Sequence, residues 1–292
     1  MPRLKRKRRK SAFQPTRSSM PAFPSSSPNC SARTPASGKK SRPWSRLSPG
    51  CLYFIGVPKL LAGGVFLWLG WLPALLVFFS PGLWFLWQLF GTRTKAFAPA
   101  FTQFQTERKE LWLTIDDGPD PSTTPAILEW LEAHQAKASF FLIGAKAQKH
   151  PDLVESIRRR GHTIGNHSFS HRLGAFWRLG PSAVADEIDR CQQVLGEELV
   201  PFRSPAGIKN LFLGSLLKER NLPLVLWNRR GYDSILPPSL AFRLLTHRLQ
   251  PGDILLLHEH RLGKRNELLP HLLAHLKAQG FRCIIPPNSA LR

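Results

Sequence analysis

The sequence predicts an α/β domain with a mostly parallel sheet over residues 107–292, preceded by a basic tail at 1–50, an apolar membrane segment at 51–92 and a linker at 93–106. Three observations carry this prediction. Short apolar runs at 111–115, 139–143, 224–227, 254–257 and 281–285 alternate with helix-like stretches at 122–134, 151–160, 181–195, 210–220, 238–249 and 265–279. A single charge, Lys59, interrupts residues 51–92. Before Glu107 stand 16 Lys and Arg and no Asp or Glu, which leaves 25 basic and 19 acidic residues for the remainder.

The tail opens MPRLKRKRRK and continues through Ser, Pro, Arg and Lys with few large apolar side chains. It cannot bury enough surface to offset the cost of ordering, so disorder is expected. Most of the net charge of +22 therefore belongs to the leader. Nucleic-acid binding calls for basic residues organised on a folded surface, and the tail placement argues against that partner. Cys30, Cys51, Cys191 and Cys283 are widely spaced with no CxxC pair. They support neither a zinc–thiolate site nor a dense disulfide framework.

Residues 51–92 exceed the roughly 20 apolar residues that a spanning helix needs, and their several Trp suit an interfacial belt. One tilted helix over 66–90 fits, as do two short helices meeting near Ser80-Pro81-Gly82, with Pro73 and Pro81 as kinks or a turn. A buried hairpin of the following domain is the competing reading. The basic tail should stay cytoplasmic. One crossing, the preferred number, then exports the C-terminal domain, and two return it to the cytoplasmic face.

Within 107–292, several helix-like stretches open with Pro or Ser, as helix N-termini often do. Short apolar strands between helices imply a parallel sheet covered on its outer face. This periodicity fits a barrel and an open doubly wound sheet equally well. Polar clusters at the strand ends are more specific, because the carboxyl ends of such strands are where active sites assemble.

The first cluster is Asp116-Asp117-Gly118-Pro119. Adjacent carboxylates repel unless a cation or proton compensates; a metal could take one and leave the other to move a proton. A capped turn into the next helix is the plain alternative. In the second, His167 and His171 are four residues apart, so on a helical turn they would share a face and bind one ion. The third, Arg203-Ser204-Pro205-Ala206-Gly207, has a Pro and Gly path suited to presenting a backbone N–H to a developing oxyanion. The fourth runs from Trp227 to Asp233, and the fifth ends an apolar strand with His258-Glu259. Arg229, Arg230 and Lys264 are candidates for meeting an anionic phosphate near the groove.

As an ordered series, these segments resemble the polysaccharide deacetylase family, also called the NodB-homology or carbohydrate esterase family 4 domain. The resemblance covers roughly 107–288. Thr114-Ile115-Asp116-Asp117-Gly118-Pro119 is similar to its first motif, with Ile in place of the usual Phe, and His167-Ser168-Phe169-Ser170-His171 to its second. It implies a distorted (β/α)7-type barrel with one catalytic groove. Asp117, His167 and His171 would bind a divalent metal, usually Zn2+ in such proteins. Asp116 would be the general base and His258 the general acid. Arg203 would hold Asp116 charged and oriented, Asp233 would pair with His258, and the Ala206 N–H would help hold the oxyanion. The implied activity is removal of an N-acyl group, acetyl or formyl, from an amino-sugar in a glycan or lipid-linked sugar. The alternatives are a carbohydrate O-acyl esterase and an inactive membrane-anchored carbohydrate-binding protein. The implied location is the bacterial inner membrane, in contact with membrane lipid, with the domain on the periplasmic side for one crossing. Ser204 and Ala206 stand where the third motif usually has Pro and an aromatic, and Ser234 where Trp is common. These changes open the groove and argue against a long chitin-like chain. Arg-Ser-Pro-Ala also looks similar to the branch acting on lipid-linked amino-sugars.

Overall fold

A computed structural model describes residues 49–196, 200–263 and 267–291, with backbone only for 49–56. The basic tail and Lys264 lie outside the described residues. Two helices come first, α1 (Pro49–Leu69) and α2 (Trp71–Phe90), joined at Gly70. They pack as an antiparallel hairpin, with Lys59 Nζ lying 5.6 Å from the Phe78 ring centroid.

The break falls at Gly70, not near Ser80-Pro81-Gly82. Gly70 adopts φ 87°, a conformation disfavoured for L side chains. Pro81 is carried inside α2: Ser80 Oγ donates to the Val77 carbonyl at 2.8 Å, the acceptor that the missing Pro81 N–H would have served. Leu67 is 81% exposed and Trp68 89%, so this is no buried core hairpin. Helix α2 is long and apolar enough to cross a membrane, and α1 contributes the shorter apolar stretch Val57–Leu69.

Residues 93–106 are not a free linker. Ala98 and Phe104 are buried, and single bridges join Phe101 to Val225, Gln103 to Asp253 and Phe104 to Leu291. The buried Lys209 Nζ donates to the carbonyl and hydroxyl of Thr94, while the Lys209 N–H donates to the Leu89 carbonyl. Because burial disfavours its charged form, Lys209 is pulled down to about 8. The end of α2 is thus fastened to the loop that follows Ala206.

The domain then runs β1 (Glu110–Gly118), α3 (Thr124–Ala133), β2 (Ala138–Leu142), α4 (Gly144–Lys149), α5 (Pro151–Arg159), β3 (Thr163–Asn166), α6 (Pro181–Leu195), α7 (Leu213–Glu219), β4 (Arg229–Arg230), α8 (Pro238–Thr246), β5 (Ile254–His258), α9 (Leu268–Ala278) and β6 (Arg282–Cys283). Every strand pairing is parallel, in the order β3-β2-β1-β5-β4, with β6 beside the start of β1. The run at 224–227 forms no ladder. Phe202 bridges Asn166 on one side and Leu224 on the other, and pairing resumes at Arg229.

β1 and β5 are apolar on both faces because both are covered. Leu111, Leu113, Ile115, Leu255 and Leu257 join the helix-covered core, while Trp112, Ile254 and Leu256 join a second core with Phe141 and Phe202. Cys191 and Cys283 are buried free thiols, and burial pushes both up to about 12. They pack as small apolar residues.

Candidate active site

The parallel register brings the strand ends together. Asp116 of β1 lies opposite His258 of β5, and β2 pairs Leu142 with Asn166, the residue before His167. In a regular strand Asp116 and Asp117 would point to opposite faces. The β1–β2 register shifts between Asp116 and Gly118, and Asp117 sits there at φ 75°. That irregularity re-aims the second carboxylate. His167 Nε2 consequently faces both acids, 3.7 Å from Asp116 Oδ2 and 3.5 Å from Asp117 Oδ1.

The histidines do not share a helical turn. Residues 167–171 form a loop with Ser168 at φ 63° and His171 at φ 51°. It folds the two rings to a centroid distance of 4.7 Å. The buried Glu187 of α6 accepts from the N–H and hydroxyl of Ser170, and Asn166 Oδ1 accepts from the Ser168 N–H. His171 Nε2 stands 3.1 Å from Asp117 Oδ1.

Asp117, His167 and His171 each offer a ligand atom within 4.8 Å of the others. Asp117 Oδ1 is buried with no hydrogen-bond partner among the described residues. His167 Nδ1 bonds the Arg203 carbonyl at 2.8 Å, which leaves Nε2 as the nitrogen for an ion. Burial, then the electrostatic effect of the neighbouring His167 ring, pushes His171 down to about 4, so its imidazole is neutral and able to ligate at pH 7. Burial raises the Asp117 carboxyl, but the close approach of His167, with His171 and His258, holds it well below the usual carboxylate range. An orphaned carboxylate oxygen facing two imidazoles fits a divalent cation.

Arg203, fully buried, donates Nη1 to Asp116 Oδ1 and Thr114 Oγ1, both at 2.8 Å. Its Nε reaches the Val225 carbonyl at 2.9 Å and Nη2 the Leu226 carbonyl at 3.1 Å. His258 Nδ1 lies 2.9 Å from Asp233 Oδ1, and the His258 N–H donates to Asp233 Oδ2 at 2.8 Å. Ala206 is exposed in the left-handed region at φ 53°, in the short turn Pro205–Gly207. Gly207 after it is at φ 71°, where a Cβ would lie 2.6 Å from the Trp227 ring.

Two further residues shape the site. Glu259 is buried, accepting from Thr123 Oγ1, Thr124 Oγ1 and the Asp120 N–H. Burial lifts its carboxyl to about 7. It braces the turn after Asp117, and its position beside His258 was the one sequence signal for it. His260 Nδ1 lies 3.7 Å from Asp117 Oδ2. Both were legible only as neighbours of the strand-end His258.

Residues 103–224 match the family model for polysaccharide deacetylase. The chain is 32% identical over 189 residues to a peptidoglycan-N-acetylglucosamine deacetylase of Bacillus cereus, spanning 60% of this chain and 85% of that one. It is 34% identical over 206 residues to a chitooligosaccharide deacetylase of Azorhizobium caulinodans, spanning 63% and 94%. Among solved structures, a family 4 carbohydrate esterase from Streptomyces lividans in complex with acetate aligns at TM-score 0.55 and 26% identity, covering 66% of this chain and 97% of that one. With all three candidate ligands inside the matched segment, the chain belongs to the polysaccharide deacetylase family and is a metal-dependent amide hydrolase.

Proposed function

We propose that the protein removes an N-acyl group, acetyl or formyl, from an amino-sugar by attack of water, with zinc held by Asp117, His167 and His171. The observation that carries this reading is the buried, unpartnered Asp117 Oδ1 facing the two imidazoles. Two imidazoles and one carboxylate are a donor set that catalytic zinc takes, with coordination positions left open. When bound, a divalent cation supplies Lewis-acid polarisation of the acyl carbonyl.

Asp116, with Oδ1 tied to Arg203, keeps Oδ2 for taking the proton from the attacking water. The Ala206 N–H receives the developing oxyanion. An amine leaves poorly unless protonated. His258, whose Nδ1 is bonded to Asp233, would give that proton from Nε2. Burial pulls the His258 imidazole down, but the bond to Asp233 and its charge, with Asp116 and Asp117, raise it above the ordinary histidine value. A general acid works only while protonated, so rate falls as pH rises through this value. Asp233→Asn removes the upward pull and is expected to move the basic limb of the kcat–pH profile to lower pH. An unmoved limb would remove His258 from this role.

Acetate and formate release by the full chain in detergent, with metal analysis before and after chelation, tests the reading. Turnover is expected to vanish with the metal and return with zinc. Release from O-acyl sugars alone would make the protein an esterase, and zinc-loaded protein inert on every N-acyl sugar would end the proposal.

The single bridges from Asn166 through Phe202 to Leu224, continued by Arg229 on β5, support closure of the sheet as a distorted barrel. We place the protein in the bacterial inner membrane through α2. If α2 alone crosses, the domain is extracytoplasmic; if both helices cross, it shares the side of residue 49. The antiparallel packing of α1 on α2 supports the second arrangement. A lipid-linked amino-sugar is the substrate class this anchoring favours over a long glycan chain.

A further inference from the structure

Helix α2 ends on a cavity of about 510 Å³ beside the turn that carries Ala206. Phe90 and Arg93 line it from the membrane-helix side, and Ala206, Trp227, Arg230 and Tyr232 from the domain side. No Asp or Glu is among its lining residues.

The two arginines of β4 have different fates because successive strand side chains leave opposite faces. Arg229 is consumed by structure: its guanidinium donates to Asp253 Oδ2 at 2.6 Å and to the carbonyls of His247 and Arg248. The expectation that Arg229 meets a phosphate is therefore corrected. Arg230 lines the cavity instead. Its guanidinium carbon lies 4.8 Å from the Tyr232 ring centroid and 5.4 Å from that of Trp227. Its Nε is buried without a hydrogen-bond partner among the described residues.

We infer that this cavity is a subsite for the phosphate of a lipid-linked amino-sugar, bound by Arg230 and Arg93 while the acylated sugar reaches the metal cluster past Ala206. The inference rests on the deacylase reading above. Two cationic side chains in a cavity without a carboxylate leave positive charge for the ligand to neutralise. A guanidinium spread against aromatic faces presents its edge N–H groups in the geometry phosphate takes. The lipid is indicated by the helix that leads away from the cavity: Phe90 lines it, and Leu86 and Trp87, within the preceding turn of α2, are likewise exposed and apolar. An acyl or prenyl chain leaving the cavity would run onto them. The phosphate fixes the sugar's distance from the cluster, so the site selects a substrate by its anchor as well as by its N-acyl group.

Full-length protein in detergent, loaded with zinc, is given three N-acetylglucosamine ligands: a farnesyl phosphate-linked sugar, the water-soluble glycosyl phosphate, and a neutral alkyl glycoside. Binding and acetate release are measured separately. The wild type is expected to bind the farnesyl phosphate ligand most tightly. Arg230→Gln and Arg93→Gln are each expected to lower the preference for phosphate over the neutral glycoside about tenfold or more, with Arg230→Lys recovering part of it. A uniform loss across all three ligands would mean that Arg230 only shapes the fold and would overturn the subsite. Equal preference for the two phosphates would remove the lipid. Phosphate-selective binding with neither acetate release nor formate release from the N-formyl counterparts would uphold the subsite and sink the deacylase reading, and release without selectivity would do the reverse.

Discussion

Asp116→Asn is expected to keep its metal and lose about 10²–10⁴-fold in kcat, whereas Asp117→Ala is expected to lose both metal and turnover. The two acids are neighbours in sequence, yet their surroundings separate them. Asp116 Oδ1 accepts from Arg203 at 2.8 Å. An Asn there is isosteric and still accepts that bond through its amide oxygen, so the scaffold survives, but the amide takes no proton from water. Asp117 Oδ1 has no donor among the described residues and faces Nε2 of both His167 and His171. Its removal leaves two imidazoles to hold a cation by themselves. Metal content by elemental analysis and acyl release on both variants check this pair. A fully active Asp116→Asn enzyme would overturn the base assignment, and an Asp117→Ala protein with full metal would overturn the ligand set.

The strand ends were legible in the sequence because a parallel strand buried on both faces is written as an unbroken apolar run. The first polar residue after it marks the open end of the sheet. Thus Leu111 to Ile115, broken only by Thr114, pointed to Asp116, and Ile254 to Leu257 pointed to His258. What periodicity could not carry was left-handed backbone at residues other than Gly. Asp117, Ser168, His171 and Ala206 all adopt it. A helical turn was therefore expected where a loop folds His171 onto His167.

Contacts between segments far apart in sequence were equally hidden. Glu259 meets Thr123 and Thr124, and Lys209 fastens the end of α2 through Thr94. Neither has a local pattern. The stretch 93–106 looked like a linker because it is short, is interrupted by Pro99 and holds no run long enough to be read as a helix or strand, although the domain packs Ala98, Phe101 and Phe104. At Gly70 and Pro81 the usual ranking reversed. The proline was accommodated by the Ser80 hydroxyl, and the glycine took the turn.

Arg203→Met is expected to destabilise the domain by about 3–5 kcal/mol, a fall in Tm of roughly 6–20 °C for a domain of this size, and to abolish turnover. Arg203 has no exposed surface, and burial alone pulls its guanidinium down while the Asp116 carboxylate pulls it back up. Its centre lies 3.9 Å from the Phe141 ring centroid. Met fills much of the volume but strands the Asp116 charge and leaves the carbonyls of Val225 and Leu226 without their donors. Lys supplies charge but no planar fork, so Arg203→Lys should recover part of the stability and little of the rate. The discriminating measurement is a double-mutant cycle with Asp116→Asn. Since Asn carries no charge that needs Arg203, the double variant should be more stable than the two single losses predict when added, by about 1–3 kcal/mol of coupling. If thermal melts show simple additivity, Arg203 is a packing residue beside Asp116 and the charge pair does not organise the site.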